Sequence, residues 1–180
     1  MSLLSYTEIC ELIEQGVIEN ASYDNVNSAS LDIRLAPKIL MEDYCSHIVV
    51  PRIKLYRKQP LFTEKRMLPY TLLPGEFILA ASLEVFNLPN NISAEYKLKS
   101  SMARIGLEHL NAGWCDAGWH GSCLTLELKN MTRYHSIELN YKDPIGQIVF
   151  FKHTPVPDDK SYAVRGRYNG DTSVQGVKNK

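Results

Sequence analysis

Apolar and polar positions along the chain change period several times, and each change marks an element. Ile9, Leu12 and Ile13 follow helical spacing behind Ser5 and Glu8, which suit a capping box, and Gly16 closes the run. One short helix is predicted over residues 6–15. After a polar, turn-like segment at 20–28 the period drops to two: Leu31, Ile33 and Leu35 point one way, Asp32 and Arg34 the other. Outward charges on a strand pair with a neighbour or line a site, and both readings stay open. Residues 36–69 carry apolar pieces at Met41, Tyr44, 48–50 and 53–56, broken by Pro37, Pro51, Pro60 and Pro69. Short edge strands and loops are predicted there, with the basic run 52–58 as a solvated face.

From Leu72 the pattern sharpens. Residues 73–76 suit a turn, 77–85 a strand, 88–91 another turn and 92–99 a strand. A second short helix is predicted over 101–105, stopped by Gly106. Leu124, Leu126 and Leu128 then alternate with Thr125 and Glu127, residues 130–134 turn, 136–140 alternate, and 147–151 form a further strand. Many short strands with almost no helix predict an all-β sandwich or barrel. The expected organisation is one domain over 1–180, in which 154–180, opened by Pro155 and Pro157, is a polar tail.

Composition narrows the function. Twenty Lys+Arg balance twenty Asp+Glu, which argues against a general binder of nucleic acid or membrane surfaces while leaving room for a local basic pocket. No apolar run approaches the roughly 20 residues of a membrane span, and no signal-peptide pattern opens the chain, so a cytoplasmic location is expected. Cys10, Cys45, Cys115 and Cys123 lack C-x-x-C spacing, which suggests neither a disulfide scaffold nor a zinc knuckle. Zinc-dependent nucleobase deaminases use H-x-E and P-C-x-x-C, and neither motif occurs.

The candidate chemistry lies between Lys99 and Glu127. Lys99, Ser100, Ser101 and Arg104 offer positive charge and hydroxyls at a helix start, where a phosphate fits, although such a run is also an ordinary helix beginning. AGWCDAGWHG, residues 112–121, is Gly-rich and aromatic and suits a loop whose backbone approaches a flat ligand. Glu127 follows on a strand, where solvent or a salt bridge is the usual fate of a glutamate.

These segments resemble, in order, the blocks of the dCTP deaminase branch of the trimeric dUTPase superfamily. The blocks are SASLDIRL at 28–35, LLPGEFILAASLEVFNLP at 72–89, KSSMAR at 99–104, AGWCDAG at 112–118, TLEL at 125–128, DPIGQIVFF at 143–151 and a tail with Tyr168 and Gln175. Such an ordered set is far more specific than one short motif. The resemblance implies a distorted jelly roll assembled as a homotrimer, with dCTP or dUTP bound between subunits. It implies that Lys99, Ser101 and Arg104 hold a triphosphate carrying magnesium. Lys99 stands where many relatives have arginine, which gives up the bidentate fork. Glu127 becomes the general base and acid of hydrolytic deamination, with Ser100 and Arg104 positioning the water and the carboxylate. Ala112, Gly113, Trp114 and Asp116 form the base and sugar pocket, the aspartate on the 3′-hydroxyl. Arg167, Tyr168 and Gln175 belong to a lid. Trp119 is expected in the core.

Two expectations follow from the resemblance alone. This chain has one residue more than many relatives between Asp116 and Glu127, at Ser122-Cys123, so a β-bulge is expected near 121–123 to keep Glu127 on its face. The implied activity is zinc-independent conversion of dCTP to dUTP and ammonia. The alternative is a bifunctional enzyme that continues to dUMP and pyrophosphate, towards which the A-G-W-x-D loop and Gln147 lean. A rival of another class is a non-catalytic, nucleotide-binding regulatory trimer.

Overall fold

Local signals near the N-terminus act as their chemistry suggests. In the computed structural model, which describes residues 2–42 and 62–178, Glu8 accepts hydrogen bonds from the Ser5 N–H at 2.9 Å and the Ser5 hydroxyl at 2.8 Å. Helix α1 (Tyr6–Glu14) starts there and ends before Gly16, whose φ of +72° suits glycine. It buries Ile9 and Leu12.

The strands, in chain order, are β1 (Ser2–Leu3), β2 (Ile18–Glu19), β3 (Leu31–Arg34), β4 (Lys38–Glu42), β5 (Phe62–Met67), β6 (Tyr70–Leu72), β7 (Phe77–Phe86) and β8 (Ile92–Leu98). After helix α2 (Ser100–Arg104) come β9 (Leu107–His109), β10 (Trp114–Cys115), β11 (Ser122–Asn130), β12 (Ile137–Leu139) and β13 (Pro144–Lys152), then helix α3 (Tyr162–Arg165). Every pairing among the described strands is antiparallel. One sheet runs β1-β13-β8-β10 with β3 also on β13; a second runs β5-β4-β7-β11-β9 with β2 also on β7; β12 and β6 form a third.

The expected all-β fold is what forms. Leu31 and Ile33 of β3, Ile78 and Ala80 of β7, Leu124, Leu126 and Leu128 of β11, and Ile148 and Phe150 of β13 share one buried core. Strands β4 and β5 are paired, with β5 at the sheet edge, as expected of 36–69. Tyr44, the pieces 48–50 and 53–56 and the basic run 52–58 lie outside the described residues. The strands β1, β2, β9 and β10, too short to leave a period, and α3 within the tail were not anticipated. No helix of the described residues is long and apolar enough to cross a membrane.

The expected bulge is corrected in its position. Pairing of β11 with β7 does shift between Cys123 and Thr125, but Cys123 faces Val85 and Thr125 faces Ala81. The two surplus residues therefore belong to β7, where Ser82, Leu83 and Glu84 oppose Leu124 alone. Ser82 Oγ accepts the Leu124 N–H at 2.8 Å, and Glu84 turns inward to pair with Arg34, Nε to Oε1 at 2.7 Å. A two-residue insertion preserves parity on both strands. Alternation along β11 is unbroken, and Glu127 shares a face with Cys123 and Thr125 rather than with the core leucines.

Candidate active site

On that face Leu40, Leu79, Ala81 and Cys123 form a second apolar cluster, and the tail lays Val174 upon it. Beside the cluster opens a cavity of about 480 Å³ whose lining includes Ala112, Trp114, Asp116, Glu127, Tyr168 and Gln175. Six residues singled out from sequence thus come together.

Loop 112–121 is shaped from beneath. Gly113 accepts the Tyr96 N–H at 2.8 Å, and a Cβ there would stand 2.5 Å from the Tyr96 carbonyl oxygen. Close approach of two backbones is what requires the glycine. Trp114 is 57% exposed, stacks on Phe151 at 6.3 Å, and donates its indole N–H to Asp116 Oδ1 at 2.9 Å. Trp119 is buried against Phe86, ring centroids 5.5 Å apart, in keeping with its expected place in the core. Its Nε1–H also donates to the Tyr168 carbonyl at 2.8 Å, which accepts Ser122 Oγ at the same distance. A core tryptophan therefore anchors the tail.

Glu127 is neither in bulk solvent nor sealed: its side chain is 25% exposed. Its Oε2 lies 3.3 Å from His109 Nε2, within ion-pair range but at an angle that makes no hydrogen bond, so both atoms are buried without a partner. The His109 ring packs on Tyr96, centroids 4.6 Å apart. Burial, then the charge of Glu127, pushes the Tyr96 phenol above its ordinary range. Burial likewise lifts the Cys115 thiol to about 12 and the Cys123 thiol to about 11. Neither is a thiolate near neutral pH.

The other sequence candidates lie elsewhere on the same chain. Lys99, Ser100, Ser101, Gly113, Arg104 and Arg167 do not line the cavity. Helix α2 starts one residue earlier than expected, with Lys99 as its N-cap, and Ser100, Ser101 and Arg104 are exposed. Gly106 ends it at φ +87°, where a Cβ would stand 2.5 Å from Thr132 Cγ2. Lys99 Nζ binds Asp32 Oδ2 at 2.5 Å, and Asp32 Oδ1 also accepts from Asn27 at 2.8 Å and Gln147 at 3.3 Å. Burial pushes the Asp32 carboxyl upward, but hydrogen bonds from Lys99, Asn27 and Gln147 outweigh it and leave it below its ordinary value. Of the two outward charges on β3, Arg34 pairs with Glu84 across strands, while Asp32 joins the run at Lys99. Arg167 is exposed, its guanidinium 5.9 Å from the Tyr168 ring.

Sequence reasoning missed four participants. His109, three residues before Ala112, and Tyr96 have no motif around them. Asp171, whose Oδ1 binds Lys178 Nζ at 2.5 Å, and Tyr162 reach the cavity from the tail. Among the described residues no group of three or more His, Cys, Asp or Glu is arranged to hold a metal ion.

Comparison with known proteins places this arrangement. The profile of the dCTP deaminase-like family matches residues 3–153. A protein of Nanoarchaeum equitans named "dCTP deaminase, dUMP-forming" is 35% identical over 175 residues, 87% of either chain. Its namesake in Aquifex aeolicus is 34% identical over 96% of this chain and 92% of its own. A crystal structure of 2′-deoxycytidine 5′-triphosphate deaminase from Agrobacterium tumefaciens superposes with a TM-score of 0.65 at 25% identity. The match covers 82% of this chain and 47% of that one, so this chain spans about half its length. A mutant dUTPase from phage phi11 of S. aureus, described with a structural Mg(II) ion, shares the fold at a TM-score of 0.51 and 15% identity, over 78% of this chain and 88% of its own. The chain belongs to the dCTP deaminase-like family.

Proposed function

We propose that the protein hydrolyses dCTP at C4 of cytosine, releasing ammonia, and then cleaves the resulting dUTP to dUMP and pyrophosphate. The observation that carries this reading is Glu127, part-buried in one cavity with Asp116 and the loop 112–116. The names of the relatives, dUMP-forming, favour the two-step outcome. The expectation of dUTP as final product therefore gives way to its alternative.

In this reading Glu127 takes a proton from water as the oxygen attacks C4, passes it to N3, and delivers the second to the departing amine. One carboxylate within reach of all three positions suffices. Main-chain groups of 112–114 read the base, and Asp116, steered by the Trp114 indole, takes the 3′-hydroxyl and then orients the second water. Tyr168 and Gln175 cover the cavity as a lid formed by 154–180, the tail of a single domain, and Arg167 adds charge at its rim.

Ser100, Ser101 and Arg104 are exposed away from this cavity, which supports an assembly in which another copy brings them to it. We assign that assembly as a homotrimer with sites between subunits, Ser100 and Arg104 positioning the water and Glu127, and Lys99, Ser101 and Arg104 holding the triphosphate. A magnesium ion carried by the triphosphate keeps several waters, and both Asp32 oxygens are already bonded to Lys99, Asn27 and Gln147, so no carboxylate is assigned to it. The ion would neutralise phosphate charge; the proton transfers stay with Glu127.

Incubation with dCTP and magnesium, with ammonia, dUTP, dUMP and pyrophosphate resolved, tests the reading. Ammonia and pyrophosphate in equal amounts support it; ammonia with dUTP alone would reduce it to one step. Tight dCTP binding with no product would favour the regulatory trimer. Glu127→Gln should keep binding and lose ammonia release, and unchanged turnover removes Glu127 from the mechanism.

A further inference from the structure

We propose that Tyr96 is a positioning residue for Glu127: its buried hydroxyl and the His109 imidazole hold the inner carboxylate oxygen through one ordered water. The inference deepens the function proposed above and rests on it.

Native interiors leave few buried polar atoms unpaired, and each exception calls for a cause. Among the described residues the unpartnered side-chain atoms are Tyr96 Oη, His109 Nε2, Glu127 Oε2 and Asp171 Oδ2. His109 links three of the four residues. His109 Nε2 is 3.3 Å from Glu127 Oε2, and the His109 ring lies on Tyr96 at 4.6 Å and 55°. A water bridging them would have three polar neighbours, within the two to four that hold a buried water.

The fold also makes room for this hydroxyl. Tyr96 is 1% exposed, and its ring end presses on Gly146, where a Cβ would stand 2.2 Å from the hydroxyl oxygen. Only glycine at 146 admits a tyrosine at 96 in this position. A phenylalanine would fill the same core without placing a hydroxyl in it.

The neighbourhood settles which way the proton points. Phe77 and Leu79 of β7 bring no charge to the cavity; Cys115, Asp116, Cys123, Tyr162, Tyr168 and Asp171 line it from the loop, β11 and the tail, His109 borders Glu127 from β9, and in the proposed trimer another copy adds Arg104. Burial keeps the two thiols and the Tyr96 phenol protonated. Tyr96 is then a permanent donor, and a donor aimed at a carboxylate favours the ionised form that a base requires. The bridging water sits on the inner oxygen, apart from the water that attacks the ring, and leaves the outer oxygen free for catalysis.

Tyr96→Phe keeps the ring and removes the donor. The acid limb of ammonia release against pH should move upward by about one pH unit, the size expected for one hydrogen bond to a charged group, with KM for dCTP unchanged. Carboxyl carbon resonances of 13C-glutamate, with Glu127 assigned by its loss in Glu127→Gln, should show the same displacement in unliganded protein. Superimposable titrations of wild type and Tyr96→Phe, or a rate loss equal at every pH, would overturn the proposal. Absence of ammonia release from the wild type would instead sink the proposed function, and the carbon titration would still decide the role of Tyr96.

Discussion

Replacing Glu84 by alanine tests whether the ion pair buried in the β7 bulge holds the register behind Glu127. The glutamate is wholly buried; its Oε1 accepts Arg34 Nε–H at 2.7 Å and its Oε2 accepts the Arg34 backbone N–H at 3.0 Å. Burial pushes its carboxyl above the ordinary value, and the Arg34 bonds pull it back without cancelling the effect. Alanine leaves a guanidinium, 17% exposed in its side chain, with only the Asn20 carbonyl as partner and strands a part-buried backbone donor. Breaking a buried pair in this way costs about 3–5 kcal/mol, a large share of a total stability of about 5–15 kcal/mol. Glu84→Gln keeps an acceptor for the backbone N–H and should cost only about 1–3 kcal/mol. Arg34→Leu combined with Glu84→Leu should recover much of the loss, since apolar replacement of a buried pair is often neutral. Urea midpoints at constant m-value read all three. A Glu84→Ala loss under about 1 kcal/mol, or a double variant no better than Glu84→Ala, would refute the reasoning.

Three further outcomes are expected. Asp32, held below its ordinary carboxyl value in the fold, stabilises fully above the unfolded value of about 3.9 and loses that contribution as pH falls through the lower folded value. Melting temperatures of wild type and Asp32→Asn should therefore converge as pH is lowered from about 5 to about 3, and a constant gap would contradict the pairing. Gly113→Ala drives a Cβ to 2.5 Å from the Tyr96 carbonyl, so the loop must shift; about 1–3 kcal/mol of stability and most dCTP binding should be lost, measured by unfolding and calorimetry. Val174→Ser puts a hydroxyl against Leu40, Leu79 and Cys123 and should cost about 1–3 kcal/mol in the same unfolding assay, while Val177→Ser, at an exposed position, should cost nothing measurable.

How far the sequence was legible follows from how far apart the cooperating residues lie. Alternation from Leu124 to Leu128 gave the face of Glu127 correctly, because the irregularity sits on the partner strand. That irregularity was invisible: ASLEVF looks like an ordinary strand until Ser82 meets Leu124 and Glu84 meets Arg34, fifty residues away. The loop glycines were legible because close backbone approach leaves glycine as its trace, whereas Asp116 was reached only through the family resemblance. His109 and Tyr96 were not, since each is a single side chain whose meaning comes from contacts between strands, His109 with Glu127 and Tyr96 with His109. Asp32 was read as a strand charge, and its tie to Lys99 spans 67 positions.

Val174, buried in the apolar cluster on the outer face of the sheet, divides the C-terminal segment into two short arms on a fixed pivot. Nucleotides cannot be admitted by lifting the whole segment without wetting that seam. For the lid proposed above, the Trp119 and Ser122 bonds to Tyr168 pin the first arm as well, so movement is confined to the few residues at 175–178 beyond the pivot.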